Sequence, residues 1–186
     1  MQIRNRFEVP MPPADAWAFL MNIPSTVTCF PGAELVETMD ENNHKGRVTV
    51  RLGPLTMIFN GKLRIEDRDE AVHSATVKAT WTESKGRGNA ITVTRFALHA
   101  EGEGTAVKMD TDVQLAGQIA QYGRGAGMIS DVSAQLVSKF ADNLRASIDA
   151  NAGLSGDAAR DRPHTEISGV RLAGRALLNR VKRGSD

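Results

Sequence analysis

The sequence predicts an α+β fold: a curved seven-stranded antiparallel sheet around one long C-terminal helix, followed by a linker and a short amphipathic tail helix. Three observations carry this expectation. Apolar and polar residues alternate over most of residues 3–115, the period of half-buried strands. Turn signals at Glu41-Asn42-Asn43, Gly53-Pro54, Lys85-Gly86-Arg87-Gly88 and Glu101-Gly102-Glu103-Gly104 separate the runs, so consecutive strands pair antiparallel. An apolar stripe with three- and four-residue spacing then marks a helix with one buried side.

Taken in order, Ile3, Asn5, Phe7 and Val9 share one face of a first strand. Pro12-Pro13 then suits a helix entry, with Trp17, Leu20 and Met21 on one side. Pro31-Gly32, after Cys29, turns the chain into the second strand. Val48, Val50 and Leu52 face one way on the third, and Leu55, Met57, Phe59, Leu63 and Ile65 do so on the fourth. Val77, Ala79 and Trp81 mark the fifth. The sixth changes phase between Ile91/Val93 and Phe96/Leu98, which predicts a bulge near Thr94-Arg95. Val107, Met109, Thr111, Val113 and Leu115 line the seventh. The stripe Ile119, Tyr122, Ile129, Val132, Leu136, Val137, Phe140, Leu144 and Ile148 belongs to the long helix. Glycines at 117, 123, 125 and 127 weaken its beginning, so regular helix is expected from about Met128 to residue 150.

A sheet with one apolar face has that helix as its cover. A cavity is expected between them where facing side chains are small, as at Gly61, Ala79, Ala126 and Ser133. The organisation is then a domain over 1–150, a small, polar linker over 151–166 containing Pro163, and a tail over 167–186. On a helical wheel Ile167, Val170, Leu177, Leu178 and Val181 gather on one side of the tail, flanked by Arg171, Arg175 and Lys182.

Charge follows the same division. The whole chain carries +1, yet residues 1–150 hold 16 basic and 18 acidic residues, against 7 and 4 in residues 151–186. A basic tail on a nearly neutral body points to an anionic surface. An amphipathic basic helix fits the membrane interface, with the marked residues as contacts; a solvated tail or packing on a protein partner are the alternatives. Hydrophobic content of 41% and charged content of 24% fit a globular core. Met1-Gln2-Ile3-Arg4-Asn5-Arg6 has no secretory apolar region, and Cys29 has no internal disulfide partner, so a cytoplasmic protein, peripheral on the membrane, is expected.

Several blocks carry a resemblance. Phe7-Glu8-Val9-Pro10, Trp17-Ala18-Phe19-Leu20, Cys29-Phe30-Pro31-Gly32-Ala33, Gly46-Arg47-Val48 and Leu52-Gly53-Pro54 stand in the order and spacing of a known family. So do Phe59-Asn60-Gly61, Asp112-Val113-Gln114-Leu115-Ala116-Gly117 and Ile119-Ala120-Gln121-Tyr122-Gly123-Arg124-Gly125. Over residues 1–148 the chain resembles CoxG, the G subunit of carbon monoxide dehydrogenase, a family of the START-like SRPBCC superfamily. The resemblance implies a helix-grip fold and an accessory role beside a molybdenum hydroxylase such as aerobic CO dehydrogenase. It implies attachment of that enzyme to the cytoplasmic membrane and handling of its quinone acceptor.

The residues themselves exclude other chemistry. The glycines of 117–127 lack the Lys-Ser/Thr of a phosphate loop and the dinucleotide spacing, and no nucleic-acid partner is indicated. His44, His73, His99 and His164 fall at a turn, two outward strand positions and the linker, with no metal-ligand spacing. The acids of Glu66-Asp67-Arg68-Asp69-Glu70 read as a solvated strand end, and no Ser-His-Asp arrangement is arguable. No catalytic residue and no covalent cofactor are therefore expected.

The expected ligand wall consists of Met57, Phe59 and Trp81 from the sheet and Ile129, Leu136 and Phe140 from the helix. Tyr122 and Arg124 stand at the mouth. A quinone-type lipid is the carried ligand on this reading. A polyketide cyclase or aromatase of the same superfamily, and an assembly module without ligand, remain open alternatives.

Overall fold

The computed structural model describes residues 1–52, 55–124 and 126–158. Seven strands and four helices occupy them. They are β1 (Gln2–Val9), α1 (Pro13–Met21), α2 (Ile23–Cys29), β2 (Ala33–Thr38), β3 (Asn43–Leu52), β4 (Leu55–Asp69), β5 (Ser74–Glu83), β6 (Gly88–Glu101), β7 (Gly104–Gly117), α3 (Ala120–Arg124) and α4 (Ala126–Ala158). All the strands form one sheet in the order β1-β7-β6-β5-β4-β3-β2. Every pairing is antiparallel. The first strand pairs with the last, so α1 and α2 occupy the crossover between the sheet's two edges. This is the helix-grip arrangement.

Two helices stand where the sequence suggests one. Asn22 ends α1 and caps α2, its side chain accepting from the Ser25 backbone N–H at 3.1 Å. β-Branched Ile23, Thr26 and Val27 hide α2 from a propensity reading. The turn after it behaves as expected. Gly32 has φ +77°, and the Thr49 N–H donates to its carbonyl at 2.8 Å.

The predicted bulge in β6 is absent. Its register runs unbroken from Gly88 to Glu101 against β7. Thr92 and Thr94 take the inner positions beside Phe96 and Leu98, while Ile91 and Val93 face outward, with Ile91 37% exposed. Bulges occur instead between Leu35 and Glu37 in β2 and between Ile65 and Asp67 in β4. An inner threonine is tolerable because Thr94 Oγ1 and Thr111 Oγ1 share a hydrogen bond of 3.0 Å.

Helical structure also begins before Met128. Ile119, 2% exposed, anchors the chain against Met57 and Ala90, and its own N–H donates to the Arg87 carbonyl at 3.2 Å. α3 forms directly after this anchor, which overcomes the entropic cost of the glycines. α4 continues through Ala158, eight residues into the segment read as a linker. Extending an established helix adds one hydrogen bond per residue ordered, and Ala152, Leu154 and Ala158 are good helix formers. Residues 1–150 form one compact unit.

The unit over 1–150 is solid in one half and hollow in the other. Phe7, Val9, Trp17, Leu20, Leu98, Val107, Phe140 and Leu144 pack as a continuous core under α1 and α2. Phe7 and Phe140 meet edge to face with centroids 5.4 Å apart. A smaller cluster of Met57, Ala90 and Ile119 closes the far end. Between the two lies open space.

Candidate functional site

α4 and the sheet enclose a cavity of about 320 Å³. Val48 and Val50 of β3, Met57 and Phe59 of β4, and Trp81 of β5 form its sheet wall. Ile129, Val132, Leu136 and Val137 close it from α4, and Ile119 and Tyr122 stand at the α3 end. Ala79, 4% exposed, is buried but not on the cavity wall, while Ala90, 9% exposed, makes room by extending only a methyl group into the space.

Gly61 does so in another way. It pairs with Trp81 across β4 and β5, and a Cβ at Gly61 would run into the Trp81 indole and the Thr80 carbonyl. The indole therefore lies down over the β4 backbone, where any other residue would push it off.

Polar groups on the wall are few and mostly tied to each other. Asn5 Nδ2 donates to Ser133 Oγ at 2.9 Å, joining β1 to α4 across the cavity. Thr111, bound to Thr94, and Thr92 contribute hydroxyls from β7 and β6. An apolar chamber with a handful of placed polar groups is suited to a lipophilic molecule with a polar ring or head.

The structure therefore brings Met57, Phe59, Trp81, Tyr122, Ile129 and Leu136 together around one cavity. Phe140 is not on its wall. This side chain is 6% exposed and belongs to the solid half, one helical turn beyond Leu136, where it meets Phe7 and Phe30. The side chain of Arg124 lies outside the described residues, as do the tail residues Ile167, Val170, Arg171, Arg175, Leu177, Leu178, Val181 and Lys182. Ser133 was expected only as a small residue facing the cavity, and Asn5, Thr92 and Thr111 were not among the expected ligand-wall residues. Asn5 shares the phase of Ile3, Phe7 and Val9, and that phase was the available signal.

Two histidines are placed differently from expectation. His44 is no turn residue: it opens β3 and is 4% exposed. His73 lies in the β4–β5 turn with φ +48°, half-buried 5.6 Å from the Trp17 ring. No cluster of metal-ligating side chains occurs among the described residues.

Carboxylates of the strand end have structural partners. Glu70 accepts from Trp17 Nε1, and Arg68 pairs with Glu41 at 2.9 Å. One buried acid was not anticipated. Glu83, 1% exposed, accepts from Arg87 Nη2 at 2.8 Å and from the backbone N–H groups of Lys85 and Arg87 at 2.9 and 3.2 Å. The Arg87 hydrogen bond, against the opposing effect of burial, holds its carboxyl at about 2, so it stays ionised and does not serve as a proton donor near neutrality. Its role is to clamp the β5–β6 turn. Glu83 shares the phase of Ala79 and Trp81, which was the overlooked sign of an inward position.

Similarity to known proteins agrees with this architecture. A conserved protein from Geobacillus kaustophilus superposes with TM-score 0.70 at 16% identity, covering 81% of this chain and 96% of that one. Protein Ms6760 from Mycobacterium smegmatis gives 0.58 at 16%, with 81% and 92% covered. The ZhuI aromatase/cyclase from Streptomyces sp. R1128 gives 0.57 at 11%, with 84% and 98% covered. At these identities the likeness is one of fold. No curated protein sequence matches. The family profile of CoxG, the G subunit of carbon monoxide dehydrogenase, matches residues 6–149, more than three quarters of the sequence, and the chain belongs to that family.

Proposed function

We propose that this protein is a non-enzymatic accessory carrier: it holds a quinone-type lipid between α4 and the sheet and serves a CO dehydrogenase-like molybdenum hydroxylase at the inner face of the cytoplasmic membrane. The cavity is the observation that carries this reading. It is about 320 Å³, almost wholly apolar, and bordered by a few hydroxyl and amide groups. Family membership supplies the partner enzyme, and the basic amphipathic pattern of 167–183 supplies the membrane contact. Among the described residues no helix is long and apolar enough to cross a bilayer, so attachment on this reading is peripheral.

The likeness to an aromatase/cyclase fold favours one rival, ring-closing catalysis in the same chamber. Such chemistry needs a group that takes or gives a proton at the substrate. The wall offers amide, hydroxyl and phenol groups, and the buried acid Glu83 is engaged by Arg87. These features support the carrier.

The test is extraction. Full-length protein is mixed with anionic liposomes containing a naphthoquinone, separated by flotation, and analysed for bound lipid. Quinone in the soluble protein fraction, chemically unchanged and at one molecule per chain, supports the carrier. Protein that leaves the liposomes empty-handed contradicts it, and a chemically altered product favours the cyclase.

A further inference from the structure

A second cavity, of about 190 Å³, lies between α2 and strands β2 to β4. It shares Phe30, Val48 and Trp81 with the large one, so these three side chains are a partition with space on both faces. The room has a local cause. Gly46 of β3 pairs with Gly61 of β4, so two adjacent positions of the sheet place no side chain inward. The Trp81 indole spreads over Gly61 and forms the common wall.

His44, two residues before Gly46 on the same face, lines this second chamber. Its ring is buried at 4% exposure. Nδ1 lies 3.3 Å from the hydroxyl of Thr38, its cross-strand partner. Nε2 is buried and has no hydrogen-bond partner. Buried polar atoms are nearly always paired, because an unmade hydrogen bond carries the full desolvation penalty. Three buried side-chain nitrogens have no hydrogen-bond partner among the described residues: His44 Nε2, Arg68 Nε and Arg87 Nε. Of these, only His44 belongs to a wall of either chamber. In the large cavity, by contrast, Asn5 is bound to Ser133 and Thr111 to Thr94.

We infer that the small chamber is the second compartment of one binding site, and that His44 Nε2–H donates a hydrogen bond to a carbonyl oxygen at the end of the ligand lodged there. The inference rests on reading the large cavity as a site for a lipophilic ligand. In the tautomer in which the Thr38 hydroxyl donates to Nδ1, the proton stands on Nε2, and a carbonyl completes the pair. Trp81 and Phe30 act as the threshold: their rings offer flat apolar contact to the part of the ligand that passes between the chambers.

The probes are 2-methyl-3-prenyl-1,4-naphthoquinone and 2-methyl-3-prenylnaphthalene, which share a carbon skeleton and differ in the two oxygens. Their affinities for the full-length protein and its His44→Phe variant are measured by titration calorimetry. His44→Phe keeps the ring and removes the donor. It is expected to weaken the quinone about tenfold, the scale of one hydrogen bond, and to leave the naphthalene unchanged. In the unsubstituted protein labelled with ¹⁵N-histidine, the His44 Nε2 resonance should move with the quinone and stay in place with the naphthalene. That measurement decides the matter if the variant does not fold. Equal quinone affinity in the variant, or an unmoved resonance while the quinone binds, overturns the role of His44 and leaves the carrier reading intact. Failure of the unsubstituted protein to bind either probe overturns both.

Discussion

The Trp81 indole lies over Gly61, its paired residue on the adjacent strand, in the space that a Cβ at position 61 would need. One absent side chain thus sets the position of the largest ring on the cavity wall. Gly61→Ala should displace that ring into one of the two chambers. The cost is expected to be about 1–3 kcal/mol, as for other overpacked interiors. Ligand affinity should fall together with stability, and tryptophan fluorescence should report the altered ring environment. An alanine variant with unchanged emission, stability and binding would show that the glycine is incidental.

The two halves of the interior should respond differently to truncation. Phe140→Ala removes a ring from the solid core and is expected to lower stability by about 3–5 kcal/mol. Folded Phe140→Ala protein should still bind ligand, because the side chain is off the wall. Leu136→Ala, one turn earlier, enlarges a space that already exists, so its stability loss should lie at or below the low end of about 2–5 kcal/mol. Urea unfolding of both variants, paired with ligand titration, checks the contrast.

Acid should release the β5–β6 clamp. The Glu83 carboxyl is held at about 2 against an ordinary 4.5, chiefly by the Arg87 hydrogen bond. A lowered carboxyl value means that its contribution is present above about pH 4.5 and is lost as pH falls through about 2. Glu83→Gln should be less stable than the parent at neutral pH. Its melting temperature should vary less between pH 4.5 and 2, and the two curves should converge at the acid end.

The tail makes a separable prediction. A chain ended after Ala158 keeps all of α4 and loses the basic segment of 167–183. It should fold, bind the naphthoquinone in solution, and sediment far less with anionic liposomes. Each basic residue near such a surface contributes roughly 1 kcal/mol, so the loss should shrink as salt rises. Equal sedimentation of the two proteins would remove the tail from the account.

Much of this fold was legible because a half-buried strand writes its period into the sequence. Phe7 and Val9, Met57 and Phe59, and Ala79 and Trp81 all face inward as their alternation requires. The same rule misled at β6, where Ile91 and Val93 are apolar yet face outward, and the inner positions go to Thr92 and Thr94. A cavity inverts the usual cost of a hydroxyl, since a ligand or a second hydroxyl can satisfy it. His44 was hidden for a related reason. Its environment depends on α2, which β-branched residues conceal, and on a glycine pair whose effect is an absence. What the site lacks in side chains is as formative as what it has, and hydrophobic patterning does not register absences.

On the proposed function, the space between α4 and the sheet holds an apolar ligand, and filling that space should abolish binding. Leu136→Trp places an indole into the large cavity from the α4 side without adding charge. Native mass spectrometry of the parent after incubation with the naphthoquinone should show one bound molecule per chain. The folded Leu136→Trp protein should show none or nearly none. Equal occupancy in both proteins, or no adduct in the parent at saturating quinone, would contradict the account.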